Sequence, residues 1–157
     1  MLVKRVDCAL NQSQSQFRED LLLLPTLTRA VGGLRGTFVE LGALDGRKFS
    51  NSVMLEECFG WRGLLIEANP LNFARLNVSG RGASLVHSAV CQLGQQSVRL
   101  SLEGGETAGE LKYLTKGRRK ARAAHAVDIP CEPLGSIMAR HGFGAGADFL
   151  SLDVEGA

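Results

Sequence analysis

Short apolar runs alternate with stretches of helical periodicity along most of the chain. Thr37-Phe38-Val39-Glu40-Leu41-Gly42 is a β-rich run with a carboxylate inside it, and a glycine-bearing turn from Gly42 to Gly46 follows. Val53, Met54, Cys58 and Phe59 then recur at helical spacing, with Asn51 or Ser52 available as N-cap. Gly63-Leu64-Leu65-Ile66-Glu67 is a near-continuous apolar strand that ends on an acid. Asn69-Pro70 opens the next helix, Asn69 as its cap and Pro70 at its first position. Residues 83–90 form a third apolar run, 97–102 read as a fourth, shorter strand and 127–131 as a short strand. Residues 132–140 read as a helix stopped at Gly142, and 149–153 as a last strand. Upstream, residues 1–14 read as a polar lead-in. Residues 15–31 read as a helix, interrupted at Pro25 and stopped by Gly32-Gly33. Residues 103–125 are glycine-rich, then basic, and read as loop.

Strands that are apolar throughout and alternate with helices predict a mostly parallel sheet covered on both faces. The expected fold class is therefore α/β, an open doubly wound sheet in which ligands bind at the carboxyl ends of the strands. Two regions are expected: a helical lead-in over 1–35 and the sheet-bearing part over 36–157. The 157 residues suit one domain, and 45% hydrophobic with 22% charged residues is ordinary globular composition. A net charge of +2 gives no reason to invoke nucleic acid or an acidic membrane. Neither do seven Phe, one Trp and one Tyr in the whole chain. No apolar run approaches the ~20 residues of a membrane span. The four cysteines, at 8, 58, 91 and 131, are widely spaced and form no CxxC. They read as reduced, partly buried thiols and not as a metal site, which makes the cytoplasm the expected compartment.

The strand ends carry the candidate chemistry. A dinucleotide fingerprint would need glycines at 42, 44 and 47, but Leu44 and Arg47 stand in the second and third places. The P-loop pattern fails as well, with its glycine gap one residue short and Phe49 in place of Ser/Thr. Glu40 and Asp45 put negative charge where a phosphate would want donors, which suits a ligand bearing an ammonium or sulfonium. Glu40 alone supports equally a buried acid paired with a basic side chain. Glu67, 21 residues after Gly46, stands where an acid accepts both ribose hydroxyls in nucleotide-binding α/β folds. The alternative is an acid favoured by the helix that starts just after it. S-adenosylmethionine meets these demands together: ribose, adenine, sulfonium and an amino acid tail, without phosphate. At the end of the last strand Asp153 and Glu155 are the candidate catalytic pair, orienting or deprotonating an acceptor hydroxyl.

A resemblance agrees with this. Residues 36–46, Phe49-Ser50-Asn51-Ser52, Leu55-Glu56 and Gly60-Trp61-Arg62-Gly63-Leu64-Leu65-Ile66-Glu67-Ala68-Asn69-Pro70 resemble FkbM-type methyltransferases. So do His87-Ser88-Ala89-Val90-Cys91, residues 131–138, residues 148–157 and, upstream, 16–23. The resemblance implies a class I methyltransferase, Rossmann-like fold that uses S-adenosylmethionine, mostly to methylate hydroxyls of small molecules or glycans. It places Glu40, Gly42, Asp45 and Gly46 on the methionine side, Glu67 at the ribose, and Ser88 and Ala89 at the adenine. Asn51 holds the cofactor or the loop over it. The family's sheet continues beyond the strand that carries Asp153, so the C-terminal part of the sheet is expected to be missing. That raises an alternative: a catalytically inactive cofactor-binding or interaction module, self-associating through an exposed sheet edge.

Three weaker features read structurally. The basic run 116–122 contains no aromatic residue and reads as a solvated loop, His87 as a hydrogen-bonded core residue, and Trp61 as packing at a helix end.

Overall fold

A computed structural model describes residues 2–102, 117 and 123–153. Five helices lie in this part of the chain: α1 (Leu2–Gln12), α2 (Glu19–Ala30), α3 (Val53–Phe59), α4 (Pro70–Leu76) and α5 (Leu134–Arg140). The protein is α/β. Its centre is a parallel sheet of β1 (Thr37–Leu41), β2 (Arg62–Glu67), β3 (Ser84–His87) and β7 (Phe149–Leu152) in the order β3-β2-β1-β7. A second, mixed sheet joins β4 (Ala89–Val90), β6 (Ala126–Glu132) and β5 (Ser97–Ser101) in that order, β5 running antiparallel to β6.

Side-chain alternation along β1 and β2 gives the sheet two apolar faces. Phe38 and Leu65 face one side, where Met54, Leu55 and Phe59 of α3 and Leu76 of α4 cover them. Val39, Leu41, Leu64, Ile66 and Val86 face the other, under Ile137 of α5 and Phe143. Burying each such side chain is worth roughly 1.5–3 kcal/mol, so these strands are the rigid part of the molecule. The chain builds β1, β2 and β3 outward on one side, then returns through α5 to place β7 on the other side of β1. The strand order therefore reverses between β1 and β7, which is where such sheets open a crevice at their carboxyl edge.

Several local expectations hold. Asn69 caps α4 by accepting from the Leu71 N–H at 2.9 Å, with Pro70 beginning the helix. The Trp61 ring packs on Gly36, and its Nε1 donates to the Leu34 carbonyl at 2.9 Å.

Others are corrected. Residues 2–12 are helical and not a polar lead-in. The run 83–90 is two strands, broken at Ser88, and residues 97–101 pair within the small sheet and not the main one. His87 is hydrogen-bonded, its Nε2 3.2 Å from the Ala68 carbonyl oxygen, but it is exposed and not in the core, stacked on Phe73 with ring centroids 4.8 Å apart. The cysteines are not free thiols: Cys8 is bonded to Cys58 and Cys91 to Cys131, and no free cysteine is left. Wide spacing along the chain hid the pairs, because only the fold brings Cα atoms 50 and 40 residues apart to 5.7 Å. No helix among the described residues is long and apolar enough to cross a membrane. The basic run 116–122, apart from Gly117, lies outside the described residues.

Candidate functional site at the carboxyl edge of the sheet

The loop from Gly42 to Ser52 leaves β1 at the reversal point, and four elements fasten it. Gly42 (φ 75°) lies so close to β7 that an added Cβ would overlap the Asp153 carbonyl oxygen. Leu44 takes a positive φ of 52°, a conformation that costs a non-glycine residue on the order of 1–2 kcal/mol. What holds it there is Glu67, whose Oε2 accepts the Leu44 N–H at 2.8 Å while Oε1 accepts the Asn69 N–H at 2.7 Å. Burial raises the Glu67 pKa above its usual value, and hydrogen bonds from Asn69, Leu44, Asn72 and Ala68 oppose that rise. Asp45 closes the tip as a turn residue: its Oδ1 accepts the Arg47 N–H at 2.9 Å and the Lys48 N–H at 2.8 Å. Asn51 reaches β7, its Nδ2 donating to the Ser151 hydroxyl at 3.0 Å.

Glu40 sits beneath this loop, 3% exposed. Its Oε2 accepts the hydroxyls of Ser50, at 2.8 Å, and of Ser52, and its Oε1 accepts the Asn51 N–H at 3.2 Å. Those hydroxyls in turn accept from the Arg81 guanidinium, Nη1 to Ser50 at 3.2 Å and Nη2 to Ser52 at 2.8 Å. Arg81 also donates to the Gly46 carbonyl and pairs with Glu56 of α3 at 2.9 Å. The two serines thus relay positive charge to a carboxylate that the guanidinium does not bond directly. Burial still raises the Glu40 pKa, and Ser52, Ser50, Arg81 and Asn51 oppose the rise. The basic partner that a buried acid requires is present at one remove, so Glu40 fastens the loop from inside.

The β3–β4 junction completes the edge. The Ser88 N–H donates to the Glu67 carbonyl at 3.2 Å, and the Ser88 hydroxyl to the Ala89 carbonyl at 2.8 Å. Ala89 is buried and pairs with Cys131. Gly42, Asp45, Gly46, Asn51, Glu67, Ser88 and Ala89 therefore all lie on this one edge, with Glu40 under it. Asp153 stands exposed at the end of β7, its N–H on the Leu41 carbonyl, whereas Glu155 lies outside the described residues.

Arg81 and Ser50 are residues that sequence reasoning left without a role, and Ser52, expected as a possible N-cap, stands at the cap position of α3 but makes no side-chain cap bond there. The only signal was a lone arginine between two glycines, Gly80-Arg81-Gly82, and nothing in the sequence says which acids it would meet. Asn69 is a further case: beyond its cap, its buried Nδ2 has no partner. An unmet buried donor costs about 1–3 kcal/mol.

The loop's donors decide what the edge can hold. The N–H groups of residues 44, 47, 48 and 51 are all taken by the chain's own carboxylates, Glu67, Asp45 and Glu40. Those of 42, 43, 46 and 50 go to backbone carbonyls. A pyrophosphate needs several such donors at once. The edge instead carries the carboxylates of Glu67, Asp45 and Glu40, and Glu67 already accepts from Leu44 and Asn69. That donor set fits a phosphate-free nucleoside carrying positive charge. No group of three or more metal-ligating side chains occurs among the described residues. In comparisons with known proteins, no family model, no curated protein and no solved structure matches this chain.

Proposed function

We propose that this chain binds S-adenosylmethionine and belongs to a methyltransferase of the class I fold, acting on a hydroxyl of a small-molecule or glycan acceptor. The observation that carries the reading is the acidic, donor-poor loop after β1, set one strand away from an acid at the end of β2. In this reading Glu67 accepts the ribose hydroxyls and Asn69 Nδ2 donates beside it. Asp45 and Gly46 form the turn against the methionine side, while Glu40 and Gly42 fix that turn from below. Ser88 and Ala89 flank the base, and Asn51 ties the loop to β7. The cofactor would supply a methyl group already activated on a sulfonium. The protein's share is then mainly proximity and orientation. Asp153 stands at the strand end where an acceptor hydroxyl would lose its proton, and Glu155 is the second candidate for that role.

Titration calorimetry with S-adenosylhomocysteine and, separately, NADH tests the reading. Binding of the first and not of the second is expected, and the reverse result overturns it. A second reading, an inactive binding or interaction module, is favoured by Leu150 and Leu152, which are 46% and 60% exposed along β7. That reading predicts S-adenosylhomocysteine binding without methyl transfer, together with concentration-dependent association.

A further inference from the structure

We infer that the working form of this protein carries both disulfides and is made in an oxidising compartment. The inference stands independently of the methyltransferase reading. Every cysteine of the chain is used, in two pairs that share no residue. No third thiol remains in these residues to attack either bond from within the chain.

Both bonds fasten elements that little else holds. Helix α1 docks on α3 with Cys8 and Ala9, while its apolar side chains Val6 and Leu10 are 51% and 56% exposed. Ala9 is buried in the core beside α3, and the Cys8–Cys58 bond adds a covalent tie at the same contact. Strand β4 is two residues long and pairs with β6 at two positions, a ladder too short to persist alone. The Cys91–Cys131 bond lies at the end of that ladder and keeps Ser88 and Ala89 in place. Closing each bond removes two protons and two electrons from a thiol pair, which a disulfide-bonded oxidoreductase takes up by exchange. Cytosolic reductants would hold the same pairs open.

The test expresses the full chain in one host with and without an export signal, traps thiols in acid, alkylates them and maps peptides without reduction. The exported chain is expected to give Cys8 linked to Cys58 and Cys91 linked to Cys131, with no alkylated cysteine. The retained chain is expected to give alkylated cysteines and a melting temperature lower by about 5–15 °C. Alkylated cysteines in the exported chain, other pairings, or equal melting of the two preparations would overturn the inference. The Cys8→Ser/Cys58→Ser and Cys91→Ser/Cys131→Ser double variants, exported, provide a second measurement. Each should melt several degrees lower than the parent, and a pair whose loss leaves melting unchanged is not a fastening.

Discussion

Two regions flank the candidate site and are held by opposite means. The loop after β1 is fastened by a buried polar network, with Glu40 and Arg81 at its centre and Glu67, Asn51 and the Asp153 backbone at its margins. It rests on strands whose Phe38, Val39, Leu64 and Leu65 are fully buried. The small sheet across the edge meets the end of β2 through the Ser88 N–H and is stapled within itself by Cys91–Cys131. A polar network buried on a core responds to any lost partner, because the partners left behind stay desolvated. A staple acts mainly by restricting the unfolded chain, so its loss is graded. Substitutions in the loop should therefore cost the whole fold, and those around β4 only their neighbourhood.

The largest effect is expected from Gly42→Val. A β-branched side chain at φ 75° is strained, and its Cβ would overlap the Asp153 carbonyl oxygen. Both strands would have to part, with a loss of more than ~4 kcal/mol, an exceptional value for one substitution. Chemical denaturation measures this. A variant within about 1 kcal/mol of the parent would show that β1 and β7 do not meet there.

Next comes Arg81→Ala, which leaves Glu56, the Gly46 carbonyl and the serine relay to Glu40 without their donor. Breaking one side of a buried pair costs about 3–5 kcal/mol. Arg81→Lys keeps the charge but not the fork that reaches both serines, and should recover only part of that loss. Full recovery with lysine would mean that charge alone, without the relay, holds the loop.

How much of this was legible beforehand follows from the range of each interaction. Strands β1 and β2 were readable because apolar runs report their own burial, whereas on β7 the apolar run marked the strand although Leu150 and Leu152 are exposed. The cap at Asn69 was readable because a cap and its helix are adjacent in sequence. Glu67 could be placed at a strand end, yet not its bond to Leu44, 23 residues away. Arg81 and the cysteine pairs were opaque for the same reason, since each joins elements that only the finished topology brings together. The small sheet was missed because an alternating run such as 97–102 marks a strand with one buried face and does not say which sheet that strand joins.

Glu67→Ala sharpens the comparison at the site itself. It removes the acceptor for Leu44 and, on the proposed reading, for the ribose. Loss of such charge-assisted bonds is worth about 1.5–3 kcal/mol, or roughly 10- to 150-fold in affinity for S-adenosylhomocysteine. Calorimetry on the folded variant measures it. Unchanged affinity would remove Glu67 from the binding site and leave it as a fastener of the loop.

The smallest effect is a slope and not a loss. Burial raises both the Glu40 and the Glu67 pKa above the ordinary carboxylate value of about 4.5. An acid whose folded pKa is raised binds its proton more tightly in the folded state. Its contribution is thus greatest below about pH 4.5 and declines as pH rises through the raised value. Glu19 and Glu132 are shifted the other way, so their contribution is lost as pH falls below 4.5. The window above pH 4.5 therefore belongs to the two buried acids. Denaturation midpoints taken stepwise upward from pH 4.5 should fall in the parent protein. In Glu40→Gln the fall should be shallower without vanishing, because Glu67 keeps the same sign. The slope is the quantity to compare, since the amide also changes the bonds to Ser50 and Ser52 at every pH. An unchanged slope would mean that the serines and Arg81 compensate the buried charge completely, making the loop's network tighter than its burial implies.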